Sequence, residues 1–266
     1  MCRKKMVVVS GAASGIGAAI CCELLKTNII PVGIDVKPFS ISELRKKTLG
    51  LWCCGKDFLF YRADASNRRA MKAVFSNLLF VDGLVNNAGL LGGDKAHGGR
   101  KISSFKKMMK AHVQTALVLT ELSYPLMREG GSIVNIGSLE LTMAAPEVVL
   151  YTIAKGALWG MTIAYSTTLA ERGIRVNMVS PGNVNTERNK AQYESEEGRR
   201  LIDRFEARTP LRRSVEPEEV ASTVLFLLLD KSSAITGEQI VVDCGYRRAL
   251  WDPGWTSRDL KEVYKK

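Results

Sequence analysis

The sequence predicts an α/β protein whose doubly wound parallel sheet of about seven strands is covered by helices on both faces. Short β-branched apolar runs alternate with longer amphipathic stretches along the 266-residue chain. A glycine-rich turn separates the first run from the first amphipathic stretch. A strand, a helix and a second strand in this order require a right-handed crossover, and a series of such crossovers makes the strands parallel.

The elements follow from this alternation in chain order. The apolar runs predict strands over residues 6–10, 29–35, 58–62, 83–86, 132–137, 175–179 and 239–243. The amphipathic stretches predict helices over residues 15–27, 41–49, 68–78, 103–127, 151–172 and 217–229. No linker and no internal repeat interrupts the pattern, so we expect one domain over residues 1–266. Pro31 has no N–H group for a ladder, so we expect an irregularity in the second strand.

The charge of the chain is strongly positive, with 38 basic residues, 27 acidic residues and a formal net charge of +11. Residues 95–110, which we call the basic segment, contain six basic residues and no acidic one. Aromatic residues do not alternate with these charges, and no nucleic-acid motif accompanies them. We therefore interpret the basic segment as a solvated loop and helix face, and we expect no nucleic-acid partner.

Membrane and metal sites are not indicated by the sequence. No apolar run reaches the roughly 18 residues of a membrane-spanning helix, and the amino terminus lacks the pattern of a signal peptide. We expect a cytoplasmic protein with no membrane partner. The six cysteines lack zinc-like spacing and do not resemble the framework of a small secreted fold. Free thiols and no metal ion are the expectation.

The turn after the first strand could cradle a phosphate. Parallel sheets bind ligands outside the carboxyl ends of their strands, and this turn lies there and opens the first helix. Its spacing is Gly-x-x-x-Gly-x-Gly, which differs from the usual dinucleotide fingerprint, so a structural turn at a helix start explains it about as well. The candidate binding residues are Gly11, Ser14, Gly15, Ile16 and Gly17.

Asp35, at the end of the second strand, favours the interpretation that the glycine-rich turn binds a dinucleotide. It follows Gly17 by about the interval expected for the acid that binds the adenosine ribose. A carboxylate at that place accepts hydrogen bonds from the ribose hydroxyls of NAD and repels the extra phosphate of NADP. The alternative role of Asp35 is that of a turn residue before Pro38, and Lys37 could soften the cofactor preference.

A candidate acid/base pair lies in the fifth predicted helix. Tyr151 and Lys155 are four residues apart and share a helix face, so the lysine could place its ammonium near the tyrosine hydroxyl and lower the pKa of that hydroxyl. Ser138 follows the fifth predicted strand and could hydrogen-bond a substrate oxygen. Taken singly, the tyrosine could be a packed core residue and the serine a helix cap.

The motifs together resemble the short-chain dehydrogenase/reductase family over nearly the whole chain. The similarity rests on the three loop glycines, on Tyr151 with Lys155, on Ser138, and on the runs Asn86-Asn87-Ala88-Gly89 and Pro181-Gly182-x-Val184-x-Thr186. The resemblance implies a Rossmann-like fold and NAD(P)-dependent hydride transfer at a secondary alcohol or carbonyl. It also implies that Tyr151 is the acid/base, that Lys155 lowers its pKa and holds the nicotinamide ribose, and that Ser138 orients the substrate oxygen.

The resemblance assigns further residues to the cofactor and to the assembly. Asn87, Ala88 and Gly89 would flank the cofactor, Asp64 would lie beside the adenine, and the nicotinamide end would be lined by Pro181, Gly182, Val184 and Thr186. A mobile segment closes over the substrate in family members, and residues 187–213 are the candidate lid here. Relatives commonly pair the helices predicted at 103–127 and 151–172, so we expect a homo-oligomer, either a dimer or a tetramer.

Three positions depart from the family pattern. The family usually has an asparagine, thought to hold a water in a proton relay, where this chain has His112. Histidine can hold a water and titrates near neutral pH, so a relay role and a simple packing role stay open. Gly137 replaces a common serine, and Cys244 replaces a common glycine.

The sequence as a whole predicts an oxidoreductase that moves a hydride between NAD and a small alcohol or carbonyl substrate. His112, Ser138, Tyr151 and Lys155 are its candidate catalytic residues. Reduction of a carbonyl on an acidic carrier or thioester, docked on the basic segment, is the alternative within enzymes. A non-catalytic dinucleotide sensor or scaffold is the alternative outside them, and only His112 favours it.

Overall fold

Seven parallel strands form one sheet in the computed structural model, which describes residues 4–40, 57–90, 94–143 and 145–249. The strands are β1 Met6–Ser10, β2 Ile30–Asp35, β3 Leu59–Arg62, β4 Val81–Asn86, β5 Met127–Ile136, β6 Arg175–Pro181 and β7 Gln239–Val242. Their order is β3-β2-β1-β4-β5-β6-β7, and every neighbouring pair is parallel. The predicted doubly wound α/β fold is therefore confirmed.

Helices cover both faces of this sheet. The helices are α1 Gly15–Lys26, α2 Arg68–Phe75, α3 Ile102–Met109, α4 Thr115–Ser123, α5 Val149–Thr168, α6 Glu187–Gln192, α7 Glu196–Arg208 and α8 Pro217–Leu228. On one face, α1 and α8 pack with Val7 and Val9 of β1 in a buried cluster. On the other face, α2 and α4 pack with Val8. The buried strand residues thus alternate between two cores, as the period of a strand requires.

The stretch predicted as one helix over 103–127 is divided in the structure. It contains α3, a π-helical turn over Lys110–Gln114, α4 and a 3₁₀ turn over Tyr124–Leu126. Pro125 ends the helical hydrogen bonding, because its ring nitrogen cannot donate. The helix predicted over 41–49 lies outside the described residues.

The irregularity expected at Pro31 is absent from the described part of β2, and that prediction is wrong. The register between β1 and β2 runs without a shift from Met6↔Ile30 to Ser10↔Ile34. The Ile30 N–H donates to Lys5 of the chain entering β1, so the nitrogen of the next residue points to the opposite side. On that side β3 pairs with β2 only from Val32 onward, so the missing donor interrupts no ladder.

The sheet order reverses direction between β1 and β4, because the chain runs outward to β3 on one side and to β7 on the other. The carboxyl ends of β1 and β4 therefore border the crevice in which such sheets bind ligands. Among the helices of the described residues, none combines the length and apolarity that crossing a bilayer requires.

Candidate active site

The loop between β1 and α1 forms a cradle that only glycine backbone can shape. Gly11 and Gly15 have φ of +67° and +55°, in the left-handed region that favours glycine. A Cβ on Gly11 would lie 2.8 Å from Nδ2 of Asn87, and one on Gly17 would lie 2.0 Å from the Gly11 carbonyl oxygen. Ser14, the residue before α1, is exposed and makes no capping hydrogen bond. Ile16 packs partly buried against the core below.

Asn87 and Ser10 tie this cradle to the loop after β4. The Asn87 side-chain amide donates to the carbonyl oxygens of Ser10 at 2.9 Å and of Gly11 at 3.1 Å. In return, the Ser10 hydroxyl oxygen accepts from the backbone N–H groups of Asn87 and Ala88, each at 3.0 Å. Sequence reasoning missed Ser10, although a polar residue that ends a buried strand was an available signal.

Two carboxylates stand after the neighbouring strands. Asp35 ends β2, and its two oxygens accept from the backbone N–H groups of Ala13 at 3.0 Å and Lys37 at 2.9 Å. Asp64 follows β3, where the Ser66 hydroxyl donates to it at 2.6 Å and Lys110 Nζ lies 3.6 Å away. The Ser66 hydrogen bond, with help from Lys110, holds the pKa of the Asp64 carboxyl below its usual value.

Ser138, Tyr151 and Lys155 come together beyond β5, at the same edge of the sheet as the cradle. Ser138 follows β5, and the structure joins its hydroxyl to the Tyr151 hydroxyl by a hydrogen bond. Lys155 lies one turn further along α5, and its ammonium donates to the Ile136 carbonyl oxygen at 2.6 Å. The Lys155 Nζ is 5.5 Å from the centre of the Tyr151 ring.

Burial sets the proton affinities of this pair. Burial raises the pKa of Tyr151 to about 12, while the hydrogen bond from Ser138 opposes that rise and the nearby Glu140 adds to it. Burial also lowers the pKa of Lys155 to about 7. Burial thus acts against the lowering of the Tyr151 pKa that is expected from Lys155, and that lowering stays a prediction. At neutral pH Tyr151 carries its proton.

His112 lies in the π-helical turn and contacts both the β4 loop and Tyr151. Its ring meets the Tyr151 ring edge-on, with 5.3 Å between their centres. Its Nε2 is 3.1 Å from the Leu90 nitrogen and 2.9 Å from the Leu90 carbonyl oxygen, so either tautomer can bond to Leu90. A Cβ on Gly89 would lie 2.2 Å from the imidazole, so the position of the ring requires glycine at residue 89.

The turn after β6 reaches back to the glycine cradle. Pro181 ends β6, and a Cβ on Gly182 would lie 3.0 Å from Asp243. Val184 is buried and forms an isolated bridge to Val215. Thr186 caps α6, and its methyl carbon lies 3.2 Å from where a Cβ on Gly15 would stand. The structure thus brings the two glycine-containing turns into contact.

The comparisons with known proteins agree with this geometry. A family model described as enoyl-(acyl carrier protein) reductase matches residues 11–247. The chain belongs to the short-chain dehydrogenase/reductase family. A D-xylose 1-dehydrogenase from Caulobacter vibrioides is 32% identical over 249 residues, which cover 91% of this chain and 96% of that protein. A 3-oxoacyl-(acyl-carrier-protein) reductase from Thermotoga maritima is 30% identical over 244 residues, covering 91% and 97% of the two chains.

A solved structure supports the same assignment. A short chain dehydrogenase family protein from Francisella tularensis matches with a TM-score of 0.80 and 28% identity, covering 92% of this chain and 100% of that one. The chain is therefore an oxidoreductase of the short-chain dehydrogenase/reductase family, whose dehydrogenases use NAD(H) or NADP(H) as the cofactor and act on small molecules.

The structure shows the surroundings of Gly137 and the backbone conformation of Cys244, two positions that depart from the short-chain dehydrogenase/reductase pattern. A side chain on Gly137 would place its Cβ 2.3 Å from the Ser180 hydroxyl oxygen and 2.5 Å from the Met178 sulfur. A side chain at position 137 would therefore have to displace the side chains of Ser180 and Met178. Cys244 keeps a glycine-like backbone, with φ of +54°, which strains a residue that has a side chain.

The candidate lid, residues 187–213, packs against the last residues that the structure describes. It contains α6 and α7, and the Phe205 ring of α7 stacks on Tyr246 with 4.2 Å between ring centres. The Tyr193 hydroxyl donates to Asn183 at 2.8 Å. Glu206 accepts from both the backbone N–H and the hydroxyl of Ser214.

Proposed function

We propose that the chain is an NAD-dependent dehydrogenase/reductase that transfers a hydride between the cofactor and a secondary alcohol or its ketone. The observation that carries the proposal is the position of Tyr151, Ser138 and Lys155 at the same edge of the sheet as the glycine cradle. A substrate oxygen bound between Ser138 and Tyr151 would therefore lie next to a cofactor held at that edge.

The residues around the cradle fit a nicotinamide dinucleotide. Glycine backbone leaves the loop open to a pyrophosphate at the positive end of α1. A side chain at Gly11 would collide with Asn87 and Ala88, and one at Gly17 would collide with the Gly11 carbonyl. Asp35 would bind the adenosine ribose and favour NAD, and Asp64 would lie near the adenine. The loops at 87–89 and 181–186 would flank the nicotinamide end. When bound, the nicotinamide supplies or accepts the hydride.

The catalytic side chains divide the proton chemistry among them. Ser138 would orient the substrate oxygen through its hydroxyl. Tyr151, protonated at neutral pH, would donate its proton to the oxygen of a ketone and become a phenolate, and in the reverse direction that phenolate would accept the alcohol proton. Lys155 would hold the nicotinamide ribose, and its buried amine, when protonated, would stabilise the phenolate that forms when Tyr151 gives up its proton.

The substrate is proposed to be a small hydroxylated molecule held under a lid formed by residues 187–213. The similarity to D-xylose 1-dehydrogenase supports a sugar or another polyol. Glu140 lies close enough to Tyr151 to raise the pKa of its hydroxyl, so the site has a carboxylate that could accept hydrogen bonds from further substrate hydroxyls. The same negative charge disfavours an anionic group beside Tyr151.

Reduction of a carbonyl on an acidic carrier is the second candidate. The matching family model and the similarity to a 3-oxoacyl-(acyl-carrier-protein) reductase favour it. The basic segment would be the docking surface, but Arg100 and Lys110 of that segment already face the carboxylates Asp94 and Asp64. A non-catalytic sensor is less well supported, because Ser138, Tyr151 and Lys155 are all present.

We also propose that the chain forms a dimer or tetramer through α4 and α5. Leu117 of α4 and Ile153 and Ile163 of α5 are 44%, 46% and 46% exposed, so both helices offer apolar side chains that a second copy could cover. Light scattering of the native protein tests this, and a monomer at micromolar concentration would contradict it.

The proposed activity is tested by the variant Tyr151→Phe, assayed with NAD or NADP over D-xylose and simple secondary alcohols such as cyclohexanol. Phenylalanine keeps the ring but removes the proton donor, so turnover should fall at least about 10²-fold while NAD affinity stays nearly unchanged. Turnover of the variant within a few-fold of wild type would reject Tyr151 as the acid/base. Absence of turnover in the wild type on the whole panel, with NAD still bound, would favour the non-catalytic role.

A further inference from the structure

The helix that carries Tyr151 has no capping side chain of its own. The residue before α5 is Val148, which is apolar and makes no capping hydrogen bond. The first backbone N–H groups of any helix lack partners within the helix and need an acceptor from elsewhere. Tyr151 is the third residue of α5, so whatever holds this first turn also holds the tyrosine.

Asp94, in the loop after β4, supplies the missing acceptor. Its side chain is buried, and one carboxylate oxygen accepts from the Leu150 N–H at 3.1 Å. The same carboxylate is also hydrogen-bonded to the Val149 N–H. A negative charge at this place interacts favourably with the positive end of the helix dipole. Asp94 therefore caps α5 although it lies far from it in sequence.

Arg100 holds the Asp94 carboxylate in place and fastens the loop to the helix a second time. Its Nε donates to the other Asp94 oxygen at 2.7 Å, and its guanidinium also donates to the Pro146 carbonyl oxygen. Burial by itself opposes the charged carboxylate, but the Arg100 and backbone hydrogen bonds outweigh burial and hold the pKa of Asp94 below its usual value. The carboxylate is thus ionised at neutral pH.

Backbone hydrogen bonds complete the attachment. The Asp94 N–H donates to the Glu147 carbonyl oxygen at 2.6 Å, and the Gly99 N–H closes the loop onto the Asp94 carbonyl oxygen at 2.8 Å. The loop that follows Asn87 and Gly89 is therefore joined to the residues immediately before Tyr151. This attachment connects the loop at the cofactor side to the proton donor.

We propose that Asp94, with Arg100, is the positioning residue for Tyr151, and that it fixes the first turn of α5 relative to the loop after β4. The proposal rests on the proposed role of Tyr151. The proposal also gives a function to one charge of the basic segment: Arg100 holds Asp94 against the first turn of α5, and we call this pair the clamp. A displacement of about 1 Å at a reacting group can cost up to about 10²-fold in rate. The contacts of Asp94 with Arg100 and with the first turn of α5 should therefore affect turnover.

The experiment compares Asp94→Ala with Asn67→Ala, a matched control. Asn67 caps α2 by accepting from the Arg69 and Ala70 N–H groups, and α2 carries no proposed catalytic residue. Both variants should lower the melting temperature by a few degrees. Only Asp94→Ala should lower kcat, by about tenfold with the best substrate of the panel, and only Asp94→Ala should speed amide hydrogen exchange over residues 149–155, about fivefold or more. NAD affinity should stay within twofold in both.

Asp94→Asn and Arg100→Gln keep the test decisive if Asp94→Ala does not fold. Asn retains an acceptor oxygen without the charge, so it should restore part of kcat and of the exchange protection, and Arg100→Gln should lower kcat several-fold. The proposal is overturned if the folded variants have a lower melting temperature but a kcat and an amide hydrogen exchange rate over residues 149–155 within twofold of wild type. Tyr151→Phe is assayed in parallel. Normal turnover of Tyr151→Phe would contradict the proposed function. An inactive Tyr151→Phe together with Asp94 variants of normal turnover would contradict only the positioning role of Asp94.

Discussion

At the scale of single residues, Ser10 and Asn87 join the turn after β1 to the loop after β4. Motif spacing placed Gly11, Gly17 and Asp35 around one turn, and the structure brings them together. The partner roles of Ser10 and Asn87 could not be predicted, because they depend on how β1 and β4 lie side by side. Proton affinities could not be predicted either, since the pKa of Tyr151 depends on burial that appears only in the folded chain.

Asp35 carries the prediction on cofactor choice. A carboxylate facing the extra phosphate of NADP is a like-charge contact that costs on the order of a few kcal/mol, so the native enzyme should favour NAD in kcat/KM by at least about tenfold. Asp35→Ser should lower the ratio of kcat/KM with NAD to kcat/KM with NADP. Asp64→Asn is the control, because a change beside the adenine should affect both cofactors equally. Equal kcat/KM with NAD and NADP in the native protein would contradict the prediction.

At the scale of elements, alternation and period predicted all seven strands, while ends and interruptions were missed. β5 begins at Met127 instead of residue 132, because the exposed residues 128–130 near its start show no apolar pattern. The π-helical turn in the stretch 103–127 was also missed, since helical periodicity is the same before and after it. Helix α7 has no buried residue among those described, so periodicity could not reveal it, but Ser195 followed by two glutamates was a usable capping signal.

The π-helical turn presents His112 to Leu90 and Tyr151, and this arrangement favours a positioning role over a relay role. A relay through a held water would let His112→Asn keep most activity, because an amide can hold the same water. If the ring itself positions the loop and the tyrosine, His112→Asn and His112→Ala should both lose about tenfold in kcat and about 1–3 kcal/mol of stability. Neither side chain reaches as far as the imidazole.

The measurement is kcat together with the free energy of unfolding for both His112 variants. Val118→Ala is the control, because it removes buried packing from α4 in the cluster around Val8, which does not include Tyr151. It should lower stability and leave kcat of the folded enzyme unchanged. An active His112→Asn beside an inactive His112→Ala would restore the relay interpretation.

At the scale of the whole molecule, buried polar contacts join the strands and helices behind the site. Asn86 of β4 donates to Asn135 of β5 at 2.8 Å, and Asn135 donates to Thr162 of α5 at 2.8 Å. Such buried networks fix one arrangement of their elements, because unpaired members would be costly. The sequence predicted the layers that meet here from their apolar pattern. The network itself was not predicted, since apolar patterning carries no information on which polar residues pair.

Lys155 makes the stability of the whole fold depend on pH. Burial lowers its pKa in the folded chain from 10.5 to about 7, so between these two values the unfolded chain holds a proton that the folded chain does not. The free energy of unfolding contributed by Lys155 should therefore rise as pH rises from about 7 to about 10, with a slope of at most about 1.36 kcal/mol per pH unit. Below about pH 7 both states are protonated and this slope ends.

Denaturant unfolding of the cofactor-free protein at several pH values measures this slope. Lys155→Met removes the titrating group, so the difference in unfolding free energy between wild type and variant should grow in favour of wild type as pH rises through the window. The hydrogen bond to Ile136 is also lost in the variant, but that loss adds a constant offset to the difference in unfolding free energy and not a slope with pH. Lys107→Met, on the exposed face of α3, is the matched control and should run parallel to wild type. A Lys155→Met curve parallel to wild type between pH 7 and 10 would mean that the buried amine keeps its proton in the folded chain, and with it the positive charge assigned to the site.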